Sequence, residues 1–143
     1  MTVKQISVFL ENKPSKLAEF TDVLSKNNID MRALSLAEAA DFGIVRIIVD
    51  NVYNASTVLK DEGYIFSITN VVAVMIPDEP GGLNKVIHVL GKNGINVDYM
   101  YAFTTRKAGM ASMIFRIKDN QKAIDVLQAN NIKPISQDDL QNL

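Results

Sequence analysis

The residues best suited to holding a small charged molecule are gathered in Pro77-Asp78-Glu79-Pro80-Gly81-Gly82-Leu83. An apolar run ends at Ile76 and a helical pattern begins at Leu83, so a strand gives way to a helix across an acidic turn and two glycines. Pro80 has no N–H and a fixed φ, which suits the first turn of a helix. Gly81 and Gly82 remove side-chain bulk where the amides of that turn are still unpaired. A small anion can approach such N–H groups closely. Asp78 stands where an acid caps a helix or complements its dipole. No catalytic group stands beside this turn.

The rest of the chain adds no reactive cluster. There is no nucleophile–base–acid arrangement, no metal-ligand spacing, no phosphate loop with its lysine and no dinucleotide fingerprint. No catalytic residue, cofactor or metal is therefore expected. His88, the only histidine, lies off the Leu83-Val86-Leu90 stripe and reads as a surface side chain. Met100, Met110 and Met113 fall on expected strands and read as core filler. Arg32, Arg46, Arg106 and Arg116 are scattered and read as solvated surface, while Tyr99 and Tyr101 share one strand face and read as half-buried.

Bulk properties narrow the class. The chain has 143 residues, room for one ordinary domain or two small ones. Hydrophobic residues make up 48% and charged residues 22%, a balance that predicts a folded, soluble protein. The net charge of −1 lacks the basic footprint a phosphate backbone demands, so no nucleic-acid partner is expected. Cysteine is absent, which excludes disulfides and thiol metal sites. Met1 to Gln5 lacks the basic-then-apolar layout of a signal peptide, and the run from Val71 to Ile76 is far too short to span a bilayer. A cytoplasmic protein with no membrane partner is the expectation.

The elements that position the turn follow from periodicity. Val3 to Leu10 alternates as a strand, Asn12-Lys13-Pro14 turns it, and Leu17, Phe20 and Leu24 mark a helix over Ser15 to Lys26. Asn27-Asn28 closes that helix, because Asn tolerates the left-handed conformation. Strands follow at Met31–Ala37 and Ile44–Val49, joined by a turn at Asp41-Phe42-Gly43. A helix over Asn54–Glu62, stopped by Gly63, and a short strand over Tyr64–Ile68 complete the half. The second half repeats the order: strand Val71–Ile76, helix Leu83–Lys92, strands Val97–Phe103 and Met110–Ile117, helix Gln121–Ala129 and a short strand over Ile132–Ile135. An offset of 66 residues pairs Pro14 with Pro80, Leu17 with Leu83, Leu24 with Leu90, Ile29 with Ile95 and Gly43 with Gly109. It grows to 68 where Val58-Leu59 meets Val126-Leu127. The chain is a duplication. Each half has the β-α-β-β-α-β order of ferredoxin-like modules, an α+β class with antiparallel strands and two helices on one face. The modules are expected at residues 1–68 and 69–143, separated by Ser67 to Asn70, with a polar, frayed tail from Ser136.

On these residues the chain resembles a tandem pair of ACT domains, ligand-binding regulatory modules common in amino-acid metabolism. The resemblance rests on Asp78-Glu79-Pro80-Gly81-Gly82-Leu83, on Leu90 to Val97 with Gly94 and Asn96, and on Gly109. The first half carries Asn12-Lys13-Pro14-Ser15-Lys16-Leu17 and Asn27 to Met31, with Ser15 and Lys16 where the family prefers a glycine and a variable residue. What the resemblance implies is an amino-acid ligand held between neighbouring modules or protomers. Its residues would be Asp78, Gly81, Gly82, Leu83 and Asn96 in the second half and Asn12, Ser15, Lys16, Leu17 and Asp30 in the first. Turn amides would take the carboxylate, and the Asp78 carboxylate or Asn96 amide oxygen the ammonium.

The expected function is that of a non-catalytic regulatory protein, working as a homodimer or on an enzyme of amino-acid metabolism. The alternative is a protein- or RNA-interaction module of the same fold, although Met110 to Ile117 lacks the aromatic and basic pattern of RNA-binding sheets. A small isomerase or monooxygenase of this fold would need a general base or oxygen-activating pocket, for which a lone helix histidine is poor support.

Overall fold

The computed structural model describes residues 1–142. The order is β1 (Val3–Glu11), α1 (Lys16–Lys26), β2 (Met31–Ala39), β3 (Phe42–Val49), α2 (Val52–Asp61), β4 (Phe66–Pro77), α3 (Gly82–Lys92), β5 (Tyr99–Phe103), β6 (Met110–Arg116) and α4 (Asn120–Ala129), with a 3-10 turn at Asp139–Asn142. The repeated βαββαβ order and antiparallel pairing are those expected of an α+β protein.

Two compact units are present, one of Lys4–Thr69 and one that takes Asn70 onward together with Met1–Val3. In the first, β3 lies between β2 and β1, pairing Ile6 with Ile47 and Val8 with Val45. Helix α1 sends Phe20 and Leu24, and α2 sends Ala55 and Leu59, onto the apolar face of Ile6, Val8, Val45 and Ile47. In the second, β6 lies between β4 and β5, and Val86, Leu90, Ala123 and Leu127 from α3 and α4 cover Val72, Val74 and Phe115. Each fully buried large side chain contributes roughly 2 kcal/mol.

The duplication is visible in the hydrogen bonds. Asn27 and Asn93 each donate their side-chain amide one turn back, to Val23 and Val89, at 2.8 Å. Ile29 and Ile95 each donate N–H to the leucine five residues earlier at 3.0 Å. Asn51 and Asp119, 68 residues apart, cap α2 and α4 by accepting from Asn54 and Lys122. Left-handed residues recur too: Asn28 matches Gly94, and Gly63 matches Asn131.

Several expectations need correction. No linker occupies Ser67 to Asn70, because β4 runs unbroken from Phe66 to Pro77. Ser67, Ile68 and Asn70 are exposed strand positions and Thr69 is half-buried. The first β2–β3 turn falls at Ala40-Asp41, one residue before Phe42, which already belongs to β3. Ile132–Ile135 makes one isolated bridge, Pro134 to Val74, instead of a strand. Arg32 is buried, at 8% exposure, and pairs with Asp30 at 3.5 Å. The tail is folded: Leu140 is 1% exposed. Ser136 N–H donates to Asp139 Oδ2 at 3.0 Å, and Asp139 N–H donates to Ser136 Oγ at 3.1 Å. His88 is exposed, Tyr99 and Tyr101 are half-buried, and Met100 and Met113 pack on the core, as read from the sequence.

Asp139 supplies a pH prediction. The Ser136 amide, then the Ser136 hydroxyl, then Lys133 hold its carboxyl below the ordinary value of 3.8. A lowered folded-state pKa adds stability above 3.8 and loses it as pH falls through the folded value. Acidification through that range should release the tail first, read as accelerated exchange of the Ser136 amide proton while the cores stay protected. Simultaneous loss of protection everywhere would count against this local latch.

No helix among the described residues is long and apolar enough to cross a membrane. No group of three or more His, Cys, Asp or Glu among them could hold a metal ion.

Candidate ligand-binding site

Glu79-Pro80-Gly81-Gly82 forms a tight turn, closed by Gly82 N–H to the Glu79 carbonyl at 3.1 Å. Gly81 has φ 87 and ψ −9, the values of the third position of a type II turn, with proline at the favoured second position. Pro80 therefore precedes α3 instead of lying in its first turn. Gly82 is needed for a different reason: a Cβ there would overlap the Pro77 carbonyl oxygen. One glycine amide is thus already engaged. The donors left for a ligand are the amides that the first turn of α3 leaves unpaired.

The first-half corner keeps the same frame. Lys16 N–H reaches the Lys13 carbonyl at 3.4 Å, and Ser15 takes φ 71 with a side chain attached. Ser15→Gly should relieve that strain and raise stability by about 1 kcal/mol, measurable by urea denaturation. A loss of stability would show that the Ser15 side chain is worth more than its backbone strain.

A cavity of about 770 Å³ opens onto the second-half corner. One wall is the corner itself, Glu79 to Gly82, with Lys85 one turn into α3. Met75, Ile76 and Val86 supply apolar lining, Lys107 comes from the β5–β6 turn, and the last wall is Asn131 to Ile135 with Asp139 and Asn142. The cause of the gap is Pro134. In the first unit the corresponding chain pairs closely with its neighbour, Phe9 N–H donating to the Ile65 carbonyl at 3.0 Å. Pro134 has no N–H and restricts Lys133 before it, so the ladder stops after Ile135 N–H bonds the Ala73 carbonyl at 2.7 Å.

Of the charges around the cavity, Asp139 is engaged by Ser136 and by the charge of Lys133. Among the described residues, Lys85, Lys107, Lys133 and Glu79 form no salt bridge. The first-half corner differs, for Lys13 pairs with Glu11 at 2.9 Å and Lys16 with Glu19 at 3.5 Å.

Of the residues singled out in the sequence, Gly81 and Gly82 line the cavity, while Asp78 and Leu83 flank it without lining it. The Asp78 backbone N–H bonds the Gly109 carbonyl at 2.9 Å, and no side chain caps α3. Asn96 lies beyond the far end of α3, about 16 Å along an eleven-residue helix. Its amide donates to Asp98 Oδ1 at 3.1 Å beside a smaller concavity of about 290 Å³. In the first half, Asn12 donates to the Ala40 carbonyl at 3.1 Å, Asp30 holds Arg32, and Leu17 is exposed. Glu79, Lys85, Lys107, Lys133 and Asp139 were not singled out. Lys85, four residues after Gly81, could have been found by helical spacing; Lys133 could not, because it lies in a segment read as a short strand, nor Asp139, because it lies in a tail read as frayed.

A family model described as an ACT domain pair matches residues 1–143. A protein from Bacteroides thetaiotaomicron with a known crystal structure is 40% identical, with 100% of this chain and 98% of that chain covered and a TM-score of 0.91. The ligand-free regulatory subunit of aspartate kinase from Thermus thermophilus is 14% identical over 88% of this chain and 90% of its own, with a TM-score of 0.64. Aspartokinase III of E. coli, solved with aspartate and ADP, is 13% identical over 90% of this chain and 32% of its own, with a TM-score of 0.56. The last two share the fold at these identities. No curated protein matches in sequence.

Proposed function

The chain belongs to the family of ACT domain pairs, and from that premise we propose that it is a non-catalytic regulatory protein that binds a free amino acid at the Gly81–Gly82 corner. The observation that carries this reading is the cavity of about 770 Å³ at that corner, within the size range of small-molecule sites. Unpaired amides of α3 and the neighbouring lysines can take the carboxylate, and Glu79 the ammonium. Asp78, Leu83 and Asn96 belong to the same reading only if a second copy approaches, since Gly81 and Asn96 lie at opposite ends of α3. β2 and β5 stand at the ends of the strand order and are the positions where such a homodimer could add strands. The first-half residues Asn12, Ser15, Lys16, Leu17 and Asp30 form the weaker corner, because its charges are already paired. Ligand binding would regulate through the dimer or an enzyme of amino-acid metabolism by favouring one of two states.

A thermal-shift screen across the proteinogenic amino acids tests this, since a ligand that binds only the folded state raises Tm. At ligand concentrations about a hundredfold above Kd the gain is about 2.7 kcal/mol, a shift of several degrees. A flat screen would favour the second reading, a protein-interaction module. That reading has its own support in Phe9 and Phe42, whose rings meet at 6.1 Å while remaining 44% and 43% exposed.

A further inference from the structure

We propose that the ligand of this cavity is an acidic amino acid, a dicarboxylate with one ammonium, its carboxylates taken by Lys85, Lys107 and Lys133 and its ammonium by Glu79. This rests on the amino-acid reading above and narrows it to one charge class. Three lysines and two acidic residues are among those lining the cavity, a balance of +1 that complements the −1 of such a ligand. Asp139 is already held by Ser136, so Glu79 is the lining carboxylate left to receive an ammonium. A neutral amino acid would bring one carboxylate and no net charge against the +1 of the lining. A basic one would add a fourth cation. The apolar lining of Ile76, Val86 and Ile132 can carry the ligand's methylene groups between its two charged ends. The first-half corner provides the contrast: its lysines are tied to Glu11 and Glu19, and nothing there is left over for a second carboxylate.

Calorimetric titration of the full chain with L-aspartate, L-glutamate, L-glutamine, L-lysine and glutarate tests the assignment. The expected result is binding of aspartate or glutamate, with glutamine and glutarate about tenfold weaker or worse. Lys85→Ala and Lys133→Ala, both at exposed positions, should each weaken it about tenfold, and Lys13→Ala should leave it unchanged. Preference for a neutral or basic amino acid overturns the acidic assignment and leaves the amino-acid reading standing. An acidic ligand indifferent to both lysine variants binds elsewhere and overturns the cavity. Silence from every amino acid removes both.

Discussion

Gly82→Ala should lower the free energy of unfolding by about 3 kcal/mol and abolish ligand binding, a larger effect than Gly81→Ala next to it. The two glycines serve different physical needs. At Gly81 a Cβ would meet nothing within 4 Å, so the cost there is the left-handed backbone alone, about 1–2 kcal/mol. At Gly82 the added carbon would run into the Pro77 carbonyl oxygen. That oxygen belongs to backbone: it accepts Glu79 N–H at 3.0 Å, and Pro77 sits in register with Met110 at the end of β4. It cannot swing aside as a side chain would. Either the turn opens or β4 shifts, and both alternatives move the wall of the cavity. The first half shows what opening looks like. Lys16 has the Cβ that Gly82 lacks, and the turn bond there has lengthened to 3.4 Å from 3.1 Å. Urea denaturation of both variants settles the matter. Equal costs for the two substitutions would mean that the Pro77 carbonyl yields freely, and the close approach would lose its meaning.

Much of this architecture was legible because each half states the same pattern independently. The Asn27 and Asn93 caps, the glycine or asparagine in left-handed positions and the leucine stripes are local signals that the fold does not override. The failures have a common origin, in effects that depend on chain segments far apart in sequence. Ser67 to Asn70 looks like a break by composition, yet β4 runs through it without interruption. Ile132–Ile135 reads as a short strand, yet pairing with β4 is confined to the Pro134–Val74 bridge and the Ile135 N–H bond, and the residues before Pro134 line the cavity. Asp78 precedes a helix and so invites a capping role, but its amide is drawn to Gly109, and it is Glu79 that lines the cavity. The candidate site was therefore legible at the turn, where the geometry is local, and illegible across the cavity, where it is not.

The tail offers the sharpest case. Leu140→Ala should cost about 3 kcal/mol, close to the value for a leucine in the middle of a core, although it lies within the last few residues of the sequence. Composition argues for fraying: Ser136 to Leu143 is almost entirely polar. One apolar residue reverses that outcome. At 1% exposure Leu140 gives up nearly all its contact with water, and truncating it leaves a void that a short 3-10 turn cannot collapse to fill. Tyr53→Ala, at a side chain 84% exposed, is the control and should change stability by less than about 0.5 kcal/mol. Because Asp139 and Asn142 line the cavity on either side of this anchor, Leu140→Ala should also weaken the ligand more than its effect on folding alone would require. Comparing ligand-induced Tm shifts of the variant and the unaltered chain separates the two contributions. An unfolding cost near that of Tyr53→Ala would mean that the tail is held by its polar turn and not by Leu140.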